Sequence, residues 1–336
     1  MNPERGRLAP SPTGAQHLGN ARTFLLAWLQ ARRQNAELLL RIEDLDTPRT
    51  KSWATDQAVD DLRWLGLECD HTPFSNSFPI PLLQSLRSQR YQSALEQLIR
   101  DDAIFPCTCS RKDVQQAASA PHESTTNVLL HDSVIYPGTC AHRTAGDALK
   151  LTQRNATFAW RFRTQGHRAS WLDAVAGPVQ IDFDQNLGDF IVARSDGSIA
   201  YQLAVVVDDI DQSITQIVRG SDLIPSTARQ LLLYHYFQAT PPIMFHVPLV
   251  CGSEGRRLAK RHGDTRLSLL RDQGFTPESI HGLSAWTSGL IDRFEPISPP
   301  DLLALDWPVL ISKTNYCFPE GEPVDYLRRL VADFNS

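Results

Sequence analysis

No stretch of these 336 residues stays apolar long enough to span a membrane. The opening residues, Met1-Asn2-Pro3-Glu4-Arg5, lack the apolar core of a secretory signal. A motif-bearing segment starts almost at once behind them, so no cleavable leader and a cytoplasmic location are expected. No internal repeat or low-complexity tract occurs, which excludes solenoids and biased disordered segments. A global basic field is missing too, because the formal net charge is -5. A nucleic-acid partner therefore has to be met by a local positive surface. Cysteine is sparse: Cys69, Cys107, Cys109, Cys140, Cys251 and Cys317. Three cluster and three are scattered, which favours a metal site plus free thiols over a disulfide framework. What remains is 42% hydrophobic and 21% charged, the balance of a globular protein with a full core in two or three lobes.

The most informative run is Arg7-Leu8-Ala9-Pro10-Ser11-Pro12-Thr13-Gly14-Ala15-Gln16-His17-Leu18-Gly19-Asn20. Prolines, small residues and two glycines build a turn, and His-x-Gly then opens a helix. Glycine lets a ligand approach the backbone closely, and a helix N-terminus favours negative charge. A lone His in a helix is more often structural. The Pro-Ser-Pro-Thr-Gly lead-in and the Leu-Gly-Asn that follows shift the balance toward phosphate binding. In that role His17 donates hydrogen bonds to an α-phosphate as charge builds during adenylation. Far downstream lies Arg256-Arg257-Leu258-Ala259-Lys260-Arg261. Alone it reads as a solvated basic loop. Paired with the N-terminal turn, it reads as a mobile loop in which Lys260 neutralises a triphosphate and the leaving pyrophosphate.

A third set is Arg7, Glu43, Tyr201 and Arg219. Each stands on or beside an expected strand end, where α/β sheets place their ligands. Arginines hold carboxylates bidentately and a carboxylate accepts an amino group, so the set suits a small acidic amino acid. Ordinary strand-end ion pairing is an equal reading. The fourth set is Cys107-Thr108-Cys109 with Tyr136-Pro137-Gly138-Thr139-Cys140. Three thiolates make a soft, tetrahedral-leaning site, so zinc is the natural metal. Tyr136 is an infrequent type of fourth ligand, and His122, His131 and His142 are substitutes. Asp44, Asp46, Asp208 and Asp209 read as capping or packing carboxylates, and nothing supports a nucleophilic role for Cys251.

Hydrophobic spacing predicts a first strand over 5–10, a helix over Leu18–Arg33 and a buried strand over Leu38–Asp44. Ala58, Leu62 and Leu65 mark a second helix closed by Gly66. This alternation is the pattern of a doubly wound α/β sheet. Regularity is lost from Pro106 to Gly146, which reads as an insertion. Thr157–Arg163 returns to a regular pattern, and Ala200–Asp209 is the strongest buried-strand candidate. Ile214–Val218 predicts a strand and Thr227–Gln238 a helix. After Leu270 the chain is Pro-rich and weakly periodic, with a short helix at Val324–Phe334. The expected division is 1–105 for the first half of a catalytic domain, 106–146 for a zinc-binding insertion, 147–245 for the remainder of the insertion and the second half of the catalytic domain, and 246–336 for the basic loop and a helical C-terminal region.

The first run, Arg41-Ile42-Glu43-Asp44-Leu45-Asp46 and Val218-Arg219-Gly220-Ser221-Asp222 together resemble the catalytic core of class I glutamyl-tRNA synthetases. The likeness covers about Arg5 to Leu270, with three motifs in order. It implies a Rossmann-like class I aminoacyl-tRNA synthetase catalytic domain. A full synthetase of that family carries a large anticodon-binding region after the basic loop, and Gly263–Ser336 is too short for one. The shortened core with Cys-x-Cys and Tyr-x-x-x-Cys resembles the glutamyl-Q tRNA(Asp) synthetase family. Members activate L-glutamate with ATP and transfer it to the queuosine base in the anticodon of tRNA(Asp). The cyclopentene-diol of queuosine imitates the terminal ribose that a synthetase acylates.

The resemblance implies that Arg7, Ser11, Glu43, Tyr201 and Arg219 bind glutamate. His17, Gly19, Asn20, Arg257 and Lys260 would bind ATP, with His17 and Lys260 catalytic. Cys107, Cys109, Tyr136 and Cys140 would hold one structural Zn2+, and Mg2+ would accompany ATP. Queuosine-containing tRNA(Asp) is the implied partner, with no membrane association and a monomeric state. In two respects the sequence departs from the family, one being a loop between Cys109 and Tyr136 that is longer than usual. The family's second ATP motif usually reads Lys-Leu-Ser-Lys-Gln, whereas here Arg257 replaces the first lysine and Ala259 the serine. Three rivals stand beside this reading: a minimal synthetase acylating a tRNA 3′ end, a His-x-Gly-His nucleotidyltransferase and a catalytically silent tRNA-binding module. Asn20 in place of the last His, with the Glu43 set, argues against the second.

Overall fold

The computed structural model describes residues 3–45, 50–75, 77–118, 134–255, 258, 265–305 and 314–336. Strand β1 (Arg5–Leu8) leads through the Pro-Ser-Pro turn into α1 (Leu18–Arg33). Strand β2 (Glu37–Leu40) then returns parallel to β1, with Arg7 opposite Leu39. A parallel pair needs a crossover, and α1 supplies it. Leu25 and Leu29 of α1 are fully buried, a contribution of about 1.5–3 kcal/mol each. Helix α2 (Ser52–Trp64) ends as its sequence predicts, at Gly66 with φ +68.

Helix α3 (Ser88–Arg100) precedes a second structural unit built on β3 (Ile104–Cys107). It contains α4 (Arg111–Ala118), α5 (Asp147–Gln153), β4 (Ala159–Phe162), β5 (Arg168–Asp173), β6 (Gly177–Asp182), α6 (Phe183–Asn186) and β7 (Phe190–Ala193). β4 lies between β3 and β7, antiparallel to both, and β5 pairs with β6 as an antiparallel ribbon. The chain then returns through α7 (Tyr201–Asp211), β8 (Gln216–Gly220), α8 (Ile224–Tyr236) and β9 (Ile243–Val247). β8 and β9 are parallel, and the Thr215 N–H donates to the Arg5 carbonyl at 2.9 Å beside the start of β1. The central strands therefore run in the order β2, β1, β8, β9. After β10 (Val250–Cys251) come α9 (Leu267–Asp272), α10 (Pro277–Thr287), α11 (Pro299–Ala304), β11 (Tyr316–Cys317) and α12 (Pro323–Asn335). Leu283, Leu302 and Leu327 of these last helices share one core with Leu25 and Leu29.

Three expectations need correction. Ala200–Asp209 is not a strand: Tyr201–Asp211 is helix α7. All of Leu203–Asp209 is buried, so apolar residues face every side and the helical period is erased. The stretch from Pro106 to Gly146 is not devoid of regular structure, because α4 falls within it. The tail after Leu270 holds α10 and α11 besides the expected α12. Their start signals are Thr276-Pro277 and Ser298-Pro299, in which the hydroxyl caps the helix and proline takes its first turn. Periodicity alone passes over such short helices.

Candidate active site

A cavity of about 190 Å³ opens at the carboxyl ends of the central strands. Its walls include Arg7 of β1, Glu43 just beyond β2, Tyr201 at the start of α7 and Arg219 of β8. His17, Gly19 and Asn20 line it from the entry of α1. Pockets for drug-sized ligands run to about 300–1,000 Å³, so this one suits a ligand of amino-acid size. Ser11 is exposed and lies outside the lining. Arg257 and Lys260 lie outside the described residues. Described residues between and after them are fixed near the site. The Leu258 N–H donates to Val250 O at 3.1 Å, and the Leu18 N–H donates to Thr265 O at 3.2 Å.

The four side chains differ in what they leave unpaired. Arg7 is buried and makes no hydrogen bond to a described residue; its nearest counter-charge is Asp209, with Nε 3.6 Å from Oδ1. Burial lowers its pKa and Asp209 opposes that shift. Arg219 donates from Nε to His246 Nε2 at 3.2 Å and from Nη2 to Gln230 Oε1 at 2.8 Å, whereas its buried Nη1 has no partner among the described residues. Glu43 accepts from Arg41 Nη2 at 3.1 Å through Oε1. Burial pushes its carboxyl up, against the pull of Arg41 and Arg7. Burial and the nearby Glu43 carboxylate push the Tyr201 phenol up. Buried charge is costly unless paired, and two arginines in the wall of one small cavity suit an anionic ligand.

Behind the cavity lies a charge network that sequence reasoning missed. Asp208 and Asp209 are fully buried, and they are not simple caps. Asp209 Oδ1 accepts from Arg41 Nη1 at 2.6 Å. Asp208 accepts from Arg87 Nε at 2.6 Å, Gln84 Nε2 at 2.7 Å and the Tyr91 hydroxyl at 2.8 Å. Adjacent acids inside an apolar run, Val205-Val206-Val207-Asp208-Asp209, were the available signal, because buried carboxylates must find cations. Asp44 does cap, accepting from the Ser85 N–H at 2.8 Å, and Asp46 lies outside the described residues.

His17 sits at the N-cap of α1 in extended backbone. Its Nδ1 accepts from the Gly19 N–H at 3.1 Å, and its own N–H donates to Asn20 Oδ1 at 3.1 Å. An accepting Nδ1 in a neutral imidazole leaves the proton on Nε2, so that edge is a donor. Gly19 is needed because a Cβ there would stand 3.1 Å from His17 Cε1. The His-x-Gly-Asn motif is thus one capping unit that also fixes an imidazole tautomer at a helix N-terminus.

The thiols of Cys107, Cys109 and Cys140 lie within 4.8 Å of one another. Tetrahedral zinc with Zn–S bonds of about 2.3 Å puts its sulfurs about 3.8 Å apart. The Cys109–Cys140 sulfur separation is 3.7 Å. The Tyr136 hydroxyl oxygen is 3.5 Å from Cys107 Sγ and 4.0 Å from Cys109 Sγ, and it accepts from the Cys140 N–H at 2.7 Å. The Arg161 guanidinium stacks 4.0 Å from the Tyr136 ring centroid and favours a negative phenol oxygen. Three soft thiols and one oxygen therefore fit a closed tetrahedral site. His142 is not part of this thiol group, and His122 and His131 lie outside the described residues.

Comparison with known proteins fits this geometry. Residues 5–285 match the catalytic domain of tRNA synthetases class I (E and Q). This chain belongs to that family. A class I synthetase is a ligase, and the Rossmann-like core described above is its catalytic domain. A glutamyl-Q tRNA(Asp) synthetase of Rhodopirellula baltica is 53% identical over 289 residues, which is 84% of each chain. A glutamate–tRNA ligase of Francisella philomiragia is 37% identical over 275 residues, which is 82% of this chain but 54% of that one. The fold matches the crystal structure of a glutamate tRNA ligase from Elizabethkingia meningosepticum in complex with its amino acid. There the TM-score is 0.81 at 23% identity, covering 99% of this chain and 70% of that one. The synthetase fold thus extends through the tail, beyond the residues of the family match.

Proposed function

We propose that this class I synthetase activates L-glutamate with ATP and transfers it to the queuosine base in the anticodon of tRNA(Asp). The observation that carries the first half is the set of charged residues that line the cavity. Arg7 and Arg219 suit two carboxylates, and Glu43 offers an acceptor to an ammonium group. Tyr201 closes the same wall. An amino acid with two carboxylates satisfies the whole set, whereas a neutral side chain leaves a buried arginine unpaired. The relatives of matching length and name support the second half.

In the first step the α-carboxylate of glutamate attacks the α-phosphate of ATP and pyrophosphate leaves. His17 Nε2–H, Gly19 and Asn20 at the helix N-terminus stabilise charge on the phosphate, and Lys260 with Arg257 neutralises the leaving group. Mg2+ bound to ATP offsets the charge of the triphosphate. In the second step a hydroxyl of the queuosine cyclopentene-diol attacks the mixed anhydride and AMP leaves. No protein nucleophile is needed, so positioning and electrostatics carry the rate. Zinc held by Cys107, Cys109, Cys140 and Tyr136 plays a structural part.

The test is transfer of labelled glutamate to tRNA(Asp) prepared with and without queuosine. Label on the queuosine form alone, surviving removal of the 3′ terminal adenosine, supports the proposal. Label that departs with that adenosine makes the chain an acceptor-end synthetase. Absence of label from both tRNAs overturns the transfer step.

A further inference from the structure

Arg219 has five N–H donors, and the structure accounts for three of them. Nε donates to His246 Nε2 at 3.2 Å, and Nη2 donates to Thr227 Oγ1 at 2.5 Å and Gln230 Oε1 at 2.8 Å. The two hydrogens on Nη1 find no acceptor among the described residues. His246 stands directly across the β8–β9 ladder from Arg219. Its other nitrogen, Nδ1, is 2.5 Å from Asp173 Oδ2 at the end of β5. Asp173 Oδ1 accepts backbone N–H groups from Val175 at 3.0 Å, Ala176 at 2.8 Å and His246 at 3.1 Å. Both side chains are almost fully buried.

From this arrangement we propose that the Asp173–His246 pair is a positioning device for Arg219, holding its guanidinium in the cavity wall against the carboxylate of the bound amino acid. It rests on the reading of the cavity as a glutamate site.

The argument is one of tautomers. An arginine Nε always donates, so His246 Nε2 presents its lone pair to Arg219 at 3.2 Å, with the Thr227 hydroxyl 2.8 Å from the same nitrogen. The imidazole proton then sits on Nδ1, where an ionised Asp173 receives it. Each partner's protonation state is consistent with this. Burial lowers the His246 pKa, which favours the neutral ring. Although burial opposes it, hydrogen bonds from His246 and Ala176 hold Asp173 down at about 2. The interposed ring has a further consequence. A carboxylate in its place would orient Arg219 equally well but would compete with the ligand for the guanidinium charge. A neutral imidazole fixes the group and leaves its charge for the ligand, with the balancing anion one ring further away.

The decisive variant is Asp173→Asn, which keeps the side-chain shape. Its carbonyl oxygen retains the three backbone donors, so its NH2 faces His246 Nδ1. The imidazole proton is forced onto Nε2, against Arg219 Nε–H. Nitrogen NMR of the imidazole should show the Nδ1–H tautomer in the wild type and Nε2–H in the variant. In glutamate-dependent ATP–pyrophosphate exchange, KM for glutamate should rise about 10- to 100-fold, the scale of a buried charged donor deprived of its acceptor. KM for ATP should stay within about twofold. His246→Leu should raise KM for glutamate similarly, and His246→Gln, whose amide oxygen can accept from Arg219, should restore part of it. An Nε2–H tautomer in the wild type overturns the proposal. So does an unchanged glutamate KM in Asp173→Asn while the wild type remains glutamate-dependent. Exchange by the wild type that ignores glutamate overturns the functional reading itself, and the proposal with it.

Discussion

Gly19→Ala should separate stability from catalysis. Gly19 has an ordinary helical backbone, so alanine can adopt its conformation, and replacing glycine within a helix is worth up to about 0.5–1 kcal/mol. On those grounds the variant should melt at the wild-type temperature or slightly above it. The added Cβ, however, would stand 3.1 Å from His17 Cε1 and 3.2 Å from Nδ1, so the ring must yield by a few tenths of an ångström. That displacement strains the Gly19 N–H bond to Nδ1 that fixes the tautomer, and it moves the Nε2 donor off the developing phosphate charge. Losing one such donor costs about 100- to 1,000-fold, and a partial displacement about 10- to 100-fold. The assay is glutamate-dependent ATP–pyrophosphate exchange beside a thermal melt. A double-mutant cycle with His17→Ala isolates the cause: once the imidazole is gone, Gly19→Ala should cost less than about twofold. Wild-type exchange in Gly19→Ala, or an equal loss with and without His17, would refute the reasoning.

Asp209→Asn removes the counter-charge shared by Arg41 and Arg7, both buried. Arg41 keeps Asp208 and Glu43, but Arg7 loses its nearest counter-charge, which should cost about 3 kcal/mol, or about 4 °C in Tm for a chain of this length, with a higher KM for glutamate. A melt within 1 °C of wild type, on the order of experimental error, would contradict it. Cys140→Ser should lose most of the zinc that the wild type carries at about one per chain, measured by elemental analysis of the purified protein. A wild type without metal counts against the site. Asp61 is buried near the carbonyl end of α2, with no partner for Oδ2 among the described residues, and burial pushes its carboxyl up to about 6. Its folded pKa exceeds the unfolded one, so this group favours the fold increasingly as pH falls from about 6 toward 4. Asp61→Asn should therefore raise Tm at pH 8 and leave it nearly unchanged at pH 4, checked by melts at the two values.

The motif-bearing turn, α1 and the strand-end arginines were legible because each has a local cause. Apolar spacing over 18–33 gives the helix, and His17 with Asn20 gives its cap. Arg7, Glu43, Tyr201 and Arg219 converge on one cavity, as strand-end chemistry anticipates. Tyr201 reaches it from a helix start instead of a strand, because α7 is buried all round and a run of valines carries no period. Asp173 and His246 left no trace in the sequence. They are 73 residues apart, on β5 and β9, and only the fold brings them together. Ser11 shows the converse: it belongs to a legible motif, yet it is exposed and outside the cavity lining.

The buried arginines look alike in sequence, and their partners assign them different work. Arg41 is enclosed by Asp208, Asp209 and Glu43 and does not line the cavity, so its charge is consumed in holding the strand ends. Arg22 lines the cavity but spends its donors on Ser288 Oγ, Pro248 O and Thr287 O, at 2.7, 2.8 and 3.1 Å. It places a positive charge at the carbonyl end of α10 and so binds the tail to the helix that carries His17. The tail thereby takes part in fixing the phosphate end of the site, even though it contributes no side chain to the glutamate end. Arg7 and Arg219 line the cavity beside Glu43 and Tyr201 without a bond from either to the tail. Their orientation comes from a carboxylate at 3.6 Å in one case and a neutral imidazole in the other. Neither partner is a carboxylate in hydrogen-bond contact with the guanidinium, so under the proposed function both charges remain for a ligand bearing two carboxylates.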